Sequence, residues 1–255
     1  MIKLTDKLQE LCNKVFRFIP QQRPSIEKLK AVKIVAHRGD WNTSDRLENT
    51  LEAFDFCLDK NIWAIEFDIR WSKDNRPVVH HDASTLRVFG KDRLISDMNL
   101  SEIKKDFPKI PELSEIIKRY DKKLHLMIEL KTTQSTEQTE VLKETLSSLT
   151  PINDFHFLSL ELDRFNNLNF VPKKTFVSVA RINISKTCAS SIEQEIGALT
   201  GQYLLLSNKM KDQCHKQGLK VGTGFPDSKN LFFREVGRGV DWVFTNHAAK
   251  LANLL

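Results

Sequence analysis

The stretch IVAHRGD, residues 34–40, decides how the rest of the chain is read. Its first three residues are apolar and suit a buried strand, but the strand runs directly into His37, Arg38 and Gly39. Such an ending indicates either a misplaced strand or the floor of an active site. The two interpretations are separated by asking whether other strands end in similar residues.

Apolar runs typical of strands alternate with helical patterns from residue 30 onward. The predicted helices include LDRFNNL at 162–168 and ASSIEQEIGAL at 189–199. Strict alternation of strand and helix predicts right-handed βαβ units, and eight of them predict a (β/α)8 TIM barrel. The eight predicted strands are KIVAH, IWAIEFDI, LHLMIEL, FHFLSL, KTFVSVA, QYLLLS, LKVGTGF and DWVFTN.

The predicted domain organisation is an N-terminal helical extension at 1–30 and a barrel domain at 31–255. The stretch from Asp82 to Pro111 is too long for a plain loop and predicts a short excursion after the second strand. The extension carries apolar residues at helical spacing from Leu4 to Ile19, and Pro20 ends the helix. It either packs on the barrel or contacts a membrane surface weakly; its acidic residues favour packing.

Composition excludes several classes of protein. The 255 residues carry a net charge of +6, but the basic residues form no continuous stripe, which argues against nucleic acid as a partner. The N-terminus is too charged for a signal peptide, and no window is long enough to span a membrane. Widely spaced cysteines indicate free thiols in a reducing compartment, so we expect a cytoplasmic protein; they are Cys12, Cys57, Cys188 and Cys214.

Charged residues recur at the carboxyl ends of the predicted strands, where TIM barrels build their active sites. Glu66 and Asp68 lie two apart on the second strand and therefore share a face, and Glu129 and Lys131 do so on the third. Three carboxylates at one barrel mouth repel one another, and an oxygen-preferring divalent cation, Mg²⁺ or Ca²⁺, would relieve that repulsion. Zinc would need more His or Cys ligands.

The remaining residues at these strand ends suit phosphate chemistry. The planar guanidinium of Arg38 matches a phosphate, and Lys131 adds a positive charge nearby. His37 follows the first strand, while His80 and His81 follow a short apolar run; two histidines can serve as general acid and base. Each residue alone has a structural explanation. Together they predict metal-assisted cleavage of a phosphodiester.

Five blocks in order resemble the glycerophosphodiester phosphodiesterase family: AHRG, ENT, IEFDIRWSKDNRPVVHHD, IPELSEII and IELK. The resemblance implies a barrel, a divalent metal, and hydrolysis of a small-molecule glycerophosphodiester to an alcohol and glycerol 3-phosphate. It also implies attack by the glycerol 2-hydroxyl and a cyclic intermediate. The matching positions imply roles for residues here: His37 and His81 as the acid/base pair, Arg38 and Lys131 on the phosphate, and Glu66, Asp68 and Glu129 on the metal.

The same resemblance selects His81 over His80, because the family places its histidine directly before Asp; His80 is then structural. Glu48 and Asn49 of the ENT block either support the site or cap the following helix. Gly39 is expected to let the backbone pass close to the ligand. The chain departs from the family pattern in the insertion WNTSDR at 41–46, in GTGF at the end of the seventh strand, and at Asn246 and His247, where the last strand ends.

Two other functions stay open at this point. A lysophospholipase D-like or other lipid phosphodiesterase would use the same barrel with an apolar groove at its mouth, built from the N-terminal helix, Trp41, Phe89 and Phe225. A module that binds phosphate or lipid without catalysis is the other, although such a module has no chemical reason to keep the full set of histidines and carboxylates. The oligomeric state is not predicted.

Overall fold

The computed structural model describes residue 11 and residues 13–42 and 45–255. The strands are β1 (Lys33–His37), β2 (Ala64–Trp71), β3 (Pro77–Val79), β4 (His125–Leu130), β5 (Phe155–Ser159), β6 (Phe176–Ala180), β7 (Ala198–Gln202), β8 (Lys220–Gly224) and β9 (Trp242–Thr245). The helices are α1 (Ile26–Ala31), α2 (Leu51–Asp59), α3 (Leu86–Phe89), α4 (Leu100–Asp106), α5 (Leu113–Tyr120), α6 (Thr136–Thr145), α7 (Ile184–Glu193), α8 (Asn208–Lys216), α9 (Lys229–Arg238) and α10 (Ala248–Ala252).

The sheet closes on itself, which confirms the predicted TIM barrel. Its order is β1-β9-β8-β7-β6-β5-β4-β2, and β2 pairs again with β1. All eight of these strands run parallel, whereas β3 pairs antiparallel with β2. Because the strands run parallel, their carboxyl ends meet at one mouth of the barrel.

The barrel is apolar on both faces of its strands, as parallel sheets require. The main core lies between the strands and the surrounding helices and includes Phe54, Phe67 and Phe157. A second cluster fills the interior of the barrel; its buried members are Val35, Ala64, Met127, Leu158, Val177, Ala198, Trp242 and Phe244. Alternate residues of each strand therefore point inward, and this period of two carries on into the mouth.

The end of the barrel opposite the mouth is closed by aromatic and imidazole rings. Trp63 stacks on His125 with ring centroids 4.5 Å apart, and Trp242 meets His156 edge-on at 5.2 Å. His125 Nε2 lies 2.8 Å from His156 Nδ1, and His125 Nδ1 lies 3.0 Å from the carbonyl of Asn153. Burial lowers the pKa of His125 to about 4 and that of His156 to about 3.

Two predicted elements are wrong in detail. The sixth barrel strand is β7 at Ala198–Gln202 and precedes the apolar run QYLLLS at 202–207; helix α7 ends at Glu193 instead of reaching 199. A Cβ at Gly197 would lie 1.9 Å from the carbonyl oxygen of Lys174, so only glycine fits where this strand begins. The segment 162–168 contains the 3-10 helix Leu162–Phe165 instead of an α-helix.

The stretch after β2 is a folded excursion. It contains β3, α3 and α4 and has a small core of its own, formed by Val78, Ile95, Met98, Ile103, Phe107 and Ile110. At the other end of the sequence, the predicted N-terminal helix is described only from Leu11; residues 13–16 are helical and the helix ends before Pro20. The earlier part of that helix lies outside the described residues. The domain boundary at residue 30 stays a prediction.

The histidine pair predicts a dependence of stability on pH. Histidine has a pKa of about 6.5 when unfolded, so the unfolded chain binds protons more readily than the folded barrel between pH 6.5 and about 4. As the pH is lowered across this window, we expect the free energy of unfolding to decrease by up to about 1.4 kcal/mol per pH unit for each histidine. Urea unfolding measured from pH 7.5 to 4.5 tests this.

The double variant His125→Phe/His156→Phe provides the comparison, because both rings become unable to bind a proton while keeping their shape. Its unfolding free energy should vary less steeply over the same range. Equal slopes for the two proteins would show that other groups cause the acid destabilisation.

Candidate active site

Three neighbouring strands bring the sequence-predicted residues together at the mouth. His37 is the last residue of β1 and pairs in register with Glu66 on β2, while Asp68 pairs in register with Glu129 on β4. All four belong to the inward-facing set of alternate residues. Lys131 follows β4 and continues the face that carries Glu129.

The three carboxylates form one buried cluster. Each offers an oxygen, and these oxygens lie within 4.8 Å of one another; Glu66 is 1% exposed, Asp68 0% and Glu129 8%. Burial and the two neighbouring carboxylates raise the pKa of Glu66 well above its usual value, and burial also raises that of Glu129. Burial works in the same direction on Asp68, but Lys131 and Arg38 outweigh it and lower the pKa of that carboxyl.

This cluster fits a divalent metal ion. Glu66 Oε1 is buried and has no hydrogen-bond partner among the described residues, so one strong acceptor remains unused. An unpaired buried charge is costly, and a cation with oxygen ligands satisfies the three carboxylates at once. Glu66, Asp68 and Glu129 can therefore hold a metal ion; the chemistry of the ligands favours a hard cation over zinc.

Two basic side chains lie against the carboxylates. Lys131 Nζ is 2.7 Å from Asp68 Oδ1 and 2.5 Å from Glu129 Oε1. Arg38 places Nε 3.4 Å from Asp68 Oδ2, and its backbone N–H donates to Glu66 Oε2 at 3.0 Å. Both side chains are thus fixed at the edge of the acidic cluster, where an anionic phosphate would meet positive charge.

Glu48 and Asn49 were predicted either to support the site or to cap a helix, and both contact residues of the site. Glu48 accepts hydrogen bonds from Arg38 at 3.0 Å and from Arg87 at 2.6 and 2.8 Å. Asn49 Nδ2 donates to Asp68 Oδ2 at 2.8 Å. The residue before helix α2 is Thr50, which makes no side-chain capping bond. These contacts favour support of the site over helix capping.

The two histidines have different partners. His37 Nδ1 lies 2.7 Å from Asn246 Oδ1, and His81 Nδ1 lies 2.7 Å from Asp82 Oδ1. Burial and the charge of Arg38 lower the pKa of His37 to about 4, and burial lowers the pKa of His81. His37 is therefore neutral at neutral pH. With Nδ1–H donated to the amide oxygen, His37 keeps an unprotonated Nε2.

His80 is held apart from these groups. It is 2% exposed, its Nε2 lies 3.2 Å from the carbonyl of Ser84, and its ring packs near Phe89. Phe89 in turn packs on Phe107 within the excursion. The expectation that Phe89 lines a groove at the mouth stays a prediction.

Sequence reasoning missed three partners of the site: Asp82, Arg87 and Asn246. Asp82 adjoins His81 in the sequence, so a signal was present. Arg87 lies in the excursion and spans Glu48 and Asp82, with its Nε 2.5 Å from Asp82 Oδ2, a pairing that no spacing rule predicts. Asn246 was singled out as a departure from the family pattern, and its contact with His37 depends on the closing of the barrel.

Gly39 has a structural role that differs from the expected one. It has a φ of +81°, and a Cβ there would lie 2.8 Å from the Cβ of Ala53 on α2. The glycine thus permits a left-handed turn and close packing of a helix, while its expected approach to a ligand stays a prediction. The next residue, Asp40, accepts a hydrogen bond from the backbone of Ala249 at 2.7 Å and so fixes the start of α10.

The aromatic side chain of Phe225 lies beside His37. Phe225 meets the imidazole edge-on with ring centroids 4.9 Å apart. Phe225 has a φ of +64°, an uncommon conformation for a bulky residue, and its N–H donates to the carbonyl of Phe244 at 2.7 Å. Trp41 Nε1 is buried without a hydrogen-bond partner among the described residues.

The barrel and the charges at its mouth define a class, the TIM barrels that act on phosphate groups. Within that class, the model of the glycerophosphoryl diester phosphodiesterase family matches residues 37–250. The chain belongs to this family.

Similar proteins agree with this assignment. A glycerophosphodiester phosphodiesterase of Caldanaerobacter subterraneus subsp. tengcongensis is 25% identical over 241 residues, which cover 87% of this chain and 97% of the relative. The glycerophosphodiester phosphodiesterase structure from Thermotoga maritima aligns with a TM-score of 0.76 at 24% identity, covering 88% and 98% of the two chains. A phosphodiesterase of Oleispira antarctica, solved with the product sn-glycerol-3-phosphate, has a TM-score of 0.76 at 21% identity and covers 88% and 97%.

The acidic cluster predicts metal binding that can be measured without any substrate. Isothermal titration with Mg²⁺ and with Ca²⁺ should detect binding to the wild-type chain. Glu66→Gln should weaken that binding by about tenfold or more, because it removes a negatively charged ligand.

Lys131→Met is the matched control, since it changes a buried residue of the same site by one charge in the opposite direction. It should bind the metal at least as tightly as the wild type, because a competing cation has been removed. Equal loss in the two variants would show disturbed folding instead of a lost ligand, and thermal unfolding of both proteins identifies that case.

Proposed function

We propose that this chain is a metal-dependent phosphoric diester hydrolase that converts glycerophosphodiesters to an alcohol and glycerol 3-phosphate. The observation that carries the proposal is the convergence of two histidines on one buried acidic cluster. His37 pairs in register with Glu66, and the charges of Asp68 and Lys131 act on the pKa of both His37 and His81, which indicates that both rings lie near the cluster. The product held by the Oleispira antarctica protein supports this choice of substrate.

Glu66, Asp68 and Glu129 would hold Mg²⁺ or Ca²⁺ in this proposal. The bound cation would act as a Lewis acid that stabilises negative charge developing on the phosphate oxygens. Arg38 and Lys131 would bind the remaining phosphate oxygens, because both carry fixed positive charge at the edge of the cluster.

His37 would act as the general base. Its Nδ1–H is directed to Asn246, which leaves the Nε2 lone pair free to accept the proton of the glycerol 2-hydroxyl. As that proton leaves, the hydroxyl oxygen forms a bond to phosphorus and the bond from phosphorus to the leaving alcohol breaks. A cyclic glycerol phosphate results.

His81 would act as the general acid in its protonated form and donate a proton to the departing alcohol oxygen. Its Nδ1 faces the carboxylate of Asp82 and not a neutral amide, so the protonated imidazole is stabilised by a neighbouring negative charge. Water then opens the cyclic ester with the two roles exchanged: His81 removes a proton from water, and His37 returns one to the 2-oxygen. The product is glycerol 3-phosphate.

A lipid phosphodiester is the second candidate substrate. The ring of Phe225 beside His37 is the observation that favours it, because an apolar surface near the phosphate suits an acyl chain. The chemistry would be unchanged, and only the leaving or retained group would differ.

We also propose a reducing, cytoplasmic environment. Cys57, Cys188 and Cys214 are free and buried, and the sulfur atoms of Cys188 and Cys214 lie 3.2 Å apart. Two thiols so close together would be prone to oxidation in an oxidising compartment. Among the described residues, no helix is long and apolar enough to cross a membrane.

Release of glycerol 3-phosphate from glycerophosphocholine tests the proposed reaction. Turnover should require Mg²⁺ or Ca²⁺ and should stop in EDTA. His37→Ala and His81→Ala should each lower kcat by at least about 10²-fold, because each removes a proton-transfer group. Parallel assays with lysophosphatidylcholine decide between the two substrate classes.

His80→Gln is the control for these variants, since it alters the histidine adjacent to His81 without touching the site. Its turnover should stay near that of the wild type. Binding of the diester without turnover under saturating Mg²⁺ and Ca²⁺ would contradict the proposal and favour a module without catalysis.

The role of His37 as base predicts a specific effect of Asn246→Asp. A carboxylate at the position of the amide favours the protonated imidazole and should raise the pKa of His37 by about one to two units. The acidic limb of the pH profile of kcat/KM should therefore move upward, so that activity is lost at a higher pH than in the wild type.

Asn246→Ala removes the hydrogen bond without adding charge and should lower kcat without that upward shift. An unmoved limb in Asn246→Asp would exclude His37 as the group that titrates there.

A further inference from the structure

Large apolar side chains face solvent around part of the barrel mouth. Phe18 is 75% exposed and Ile182, which follows β6, is 73% exposed. Leu205 follows β7, the neighbour of β6 in the sheet, and is also exposed. We define the apolar rim as these three residues together with the exposed residues of the N-terminal segment: Leu11, Val15 and Ile19.

The N-terminal segment is fixed at the mouth end of the barrel. The hydroxyl of Tyr203, the residue after β7, donates to Asn13 Oδ1 at 2.5 Å, and Phe16 meets the same ring edge-on at 6.4 Å. Asn230, in the first turn of α9, donates its amide to the carbonyl of Arg17 at 2.7 Å. Phe16 thus packs on the barrel, while the apolar residues on the other side of this segment remain exposed. One face of the segment packs on the barrel, and the exposed face is available for the membrane contact that is the other interpretation of this segment.

The rim lies in basic surroundings. The segments 11–25, 181–189 and 202–211 carry the rim residues and contain Lys and Arg but no Asp or Glu. Exposed basic residues next to the rim include Lys14, Arg17, Arg181, Lys186 and Lys209. Apolar side chains bordered by positive charge match a bilayer surface that carries anionic lipid headgroups.

We propose that the apolar rim docks this protein on the surface of an anionic lipid bilayer. Phe18 and Ile182 enter the boundary between headgroups and acyl chains, and the basic residues contact the headgroups. Docking in this way holds the barrel mouth toward the membrane while the protein remains peripheral. The inference goes beyond the proposed function and does not depend on it, because the surface and its test involve no catalysis.

Co-sedimentation with lipid vesicles tests the proposal on the full chain. The wild type should sediment with vesicles of equimolar phosphatidylcholine and phosphatidylglycerol, less with pure phosphatidylcholine, and less when salt is raised. Phe18→Ser/Ile182→Ser should lower the partition coefficient by about tenfold or more, because two exposed apolar side chains no longer enter the bilayer.

Ile26→Ser is the matched control. Ile26 is 65% exposed, but it begins α1, the helix that precedes β1 at the opposite end of the barrel. This variant should sediment as the wild type does. Thermal unfolding of all proteins confirms that they are folded.

Three results would overturn the proposal. The first is wild-type protein that sediments no more with anionic vesicles than without them. The second is equal binding by Phe18→Ser/Ile182→Ser and the wild type. The third is a wild-type dimer in analytical ultracentrifugation that the double variant dissociates, which would make a second copy of the chain the occupant of the rim. Loss of vesicle binding with intact hydrolysis of glycerophosphocholine would affect only this inference.

Discussion

The arrangement of the mouth depends on one electrostatic constraint, the burial of three carboxylates within 4.8 Å of one another. Removing charges of the same sign from water and placing them side by side is costly unless positive charge compensates them. Lys131 contacts two of the three, and Arg38 contacts the third through its backbone and Asp68 through its side chain. The compensation is incomplete, because Glu66 keeps a raised pKa and an unused oxygen. An acidic cluster that the protein does not neutralise by itself is suited to a metal ion.

The compensating charges need support of their own. Arg38 has a φ of +57°, so its side chain leaves the end of β1 from an uncommon backbone conformation. Glu48 holds that guanidinium and is in turn held by Arg87 from the excursion after β2. Burial raises the pKa of Glu48, but the two arginines outweigh it and lower that pKa, so the glutamate stays charged. The excursion therefore contributes to the site through a chain of alternating charges.

Much of this site could be predicted because its residues lie on strands. A period of two fixes which residues of a strand share a face, and parallel strands bring their carboxyl ends together. Glu66, Asp68 and Glu129 follow from these two rules alone. Asn246 and Arg87 do not, because Asn246 lies in the turn after β9 and Arg87 lies on α3, and the positions of both depend on tertiary packing. The sixth strand is misplaced because tertiary packing also decides its sequence. The run at 202–207 is more apolar than the true strand β7. Glycine is required at Gly197 and Gly201 by close contacts with Lys174 and Ile184, and these glycines make β7 look less like a strand.

The residues proposed to carry out the reaction and the residues suited to select the substrate lie on different parts of the barrel, the first on strands and the second on loops. The groups proposed to act on phosphorus, apart from His81, lie on barrel strands or within two residues of their ends, where the hydrogen-bonded sheet restricts their movement. Trp41, Phe225 and Ile182 come from the loops after β1, β8 and β6, which can change in length and sequence without disturbing the barrel. Phe225 shows how close a loop residue comes to a residue on a strand, since a strained backbone places its ring centroid 4.9 Å from that of His37. A change of substrate in this chain therefore requires changes in the loops, while the acidic cluster and its compensating cations can stay as they are.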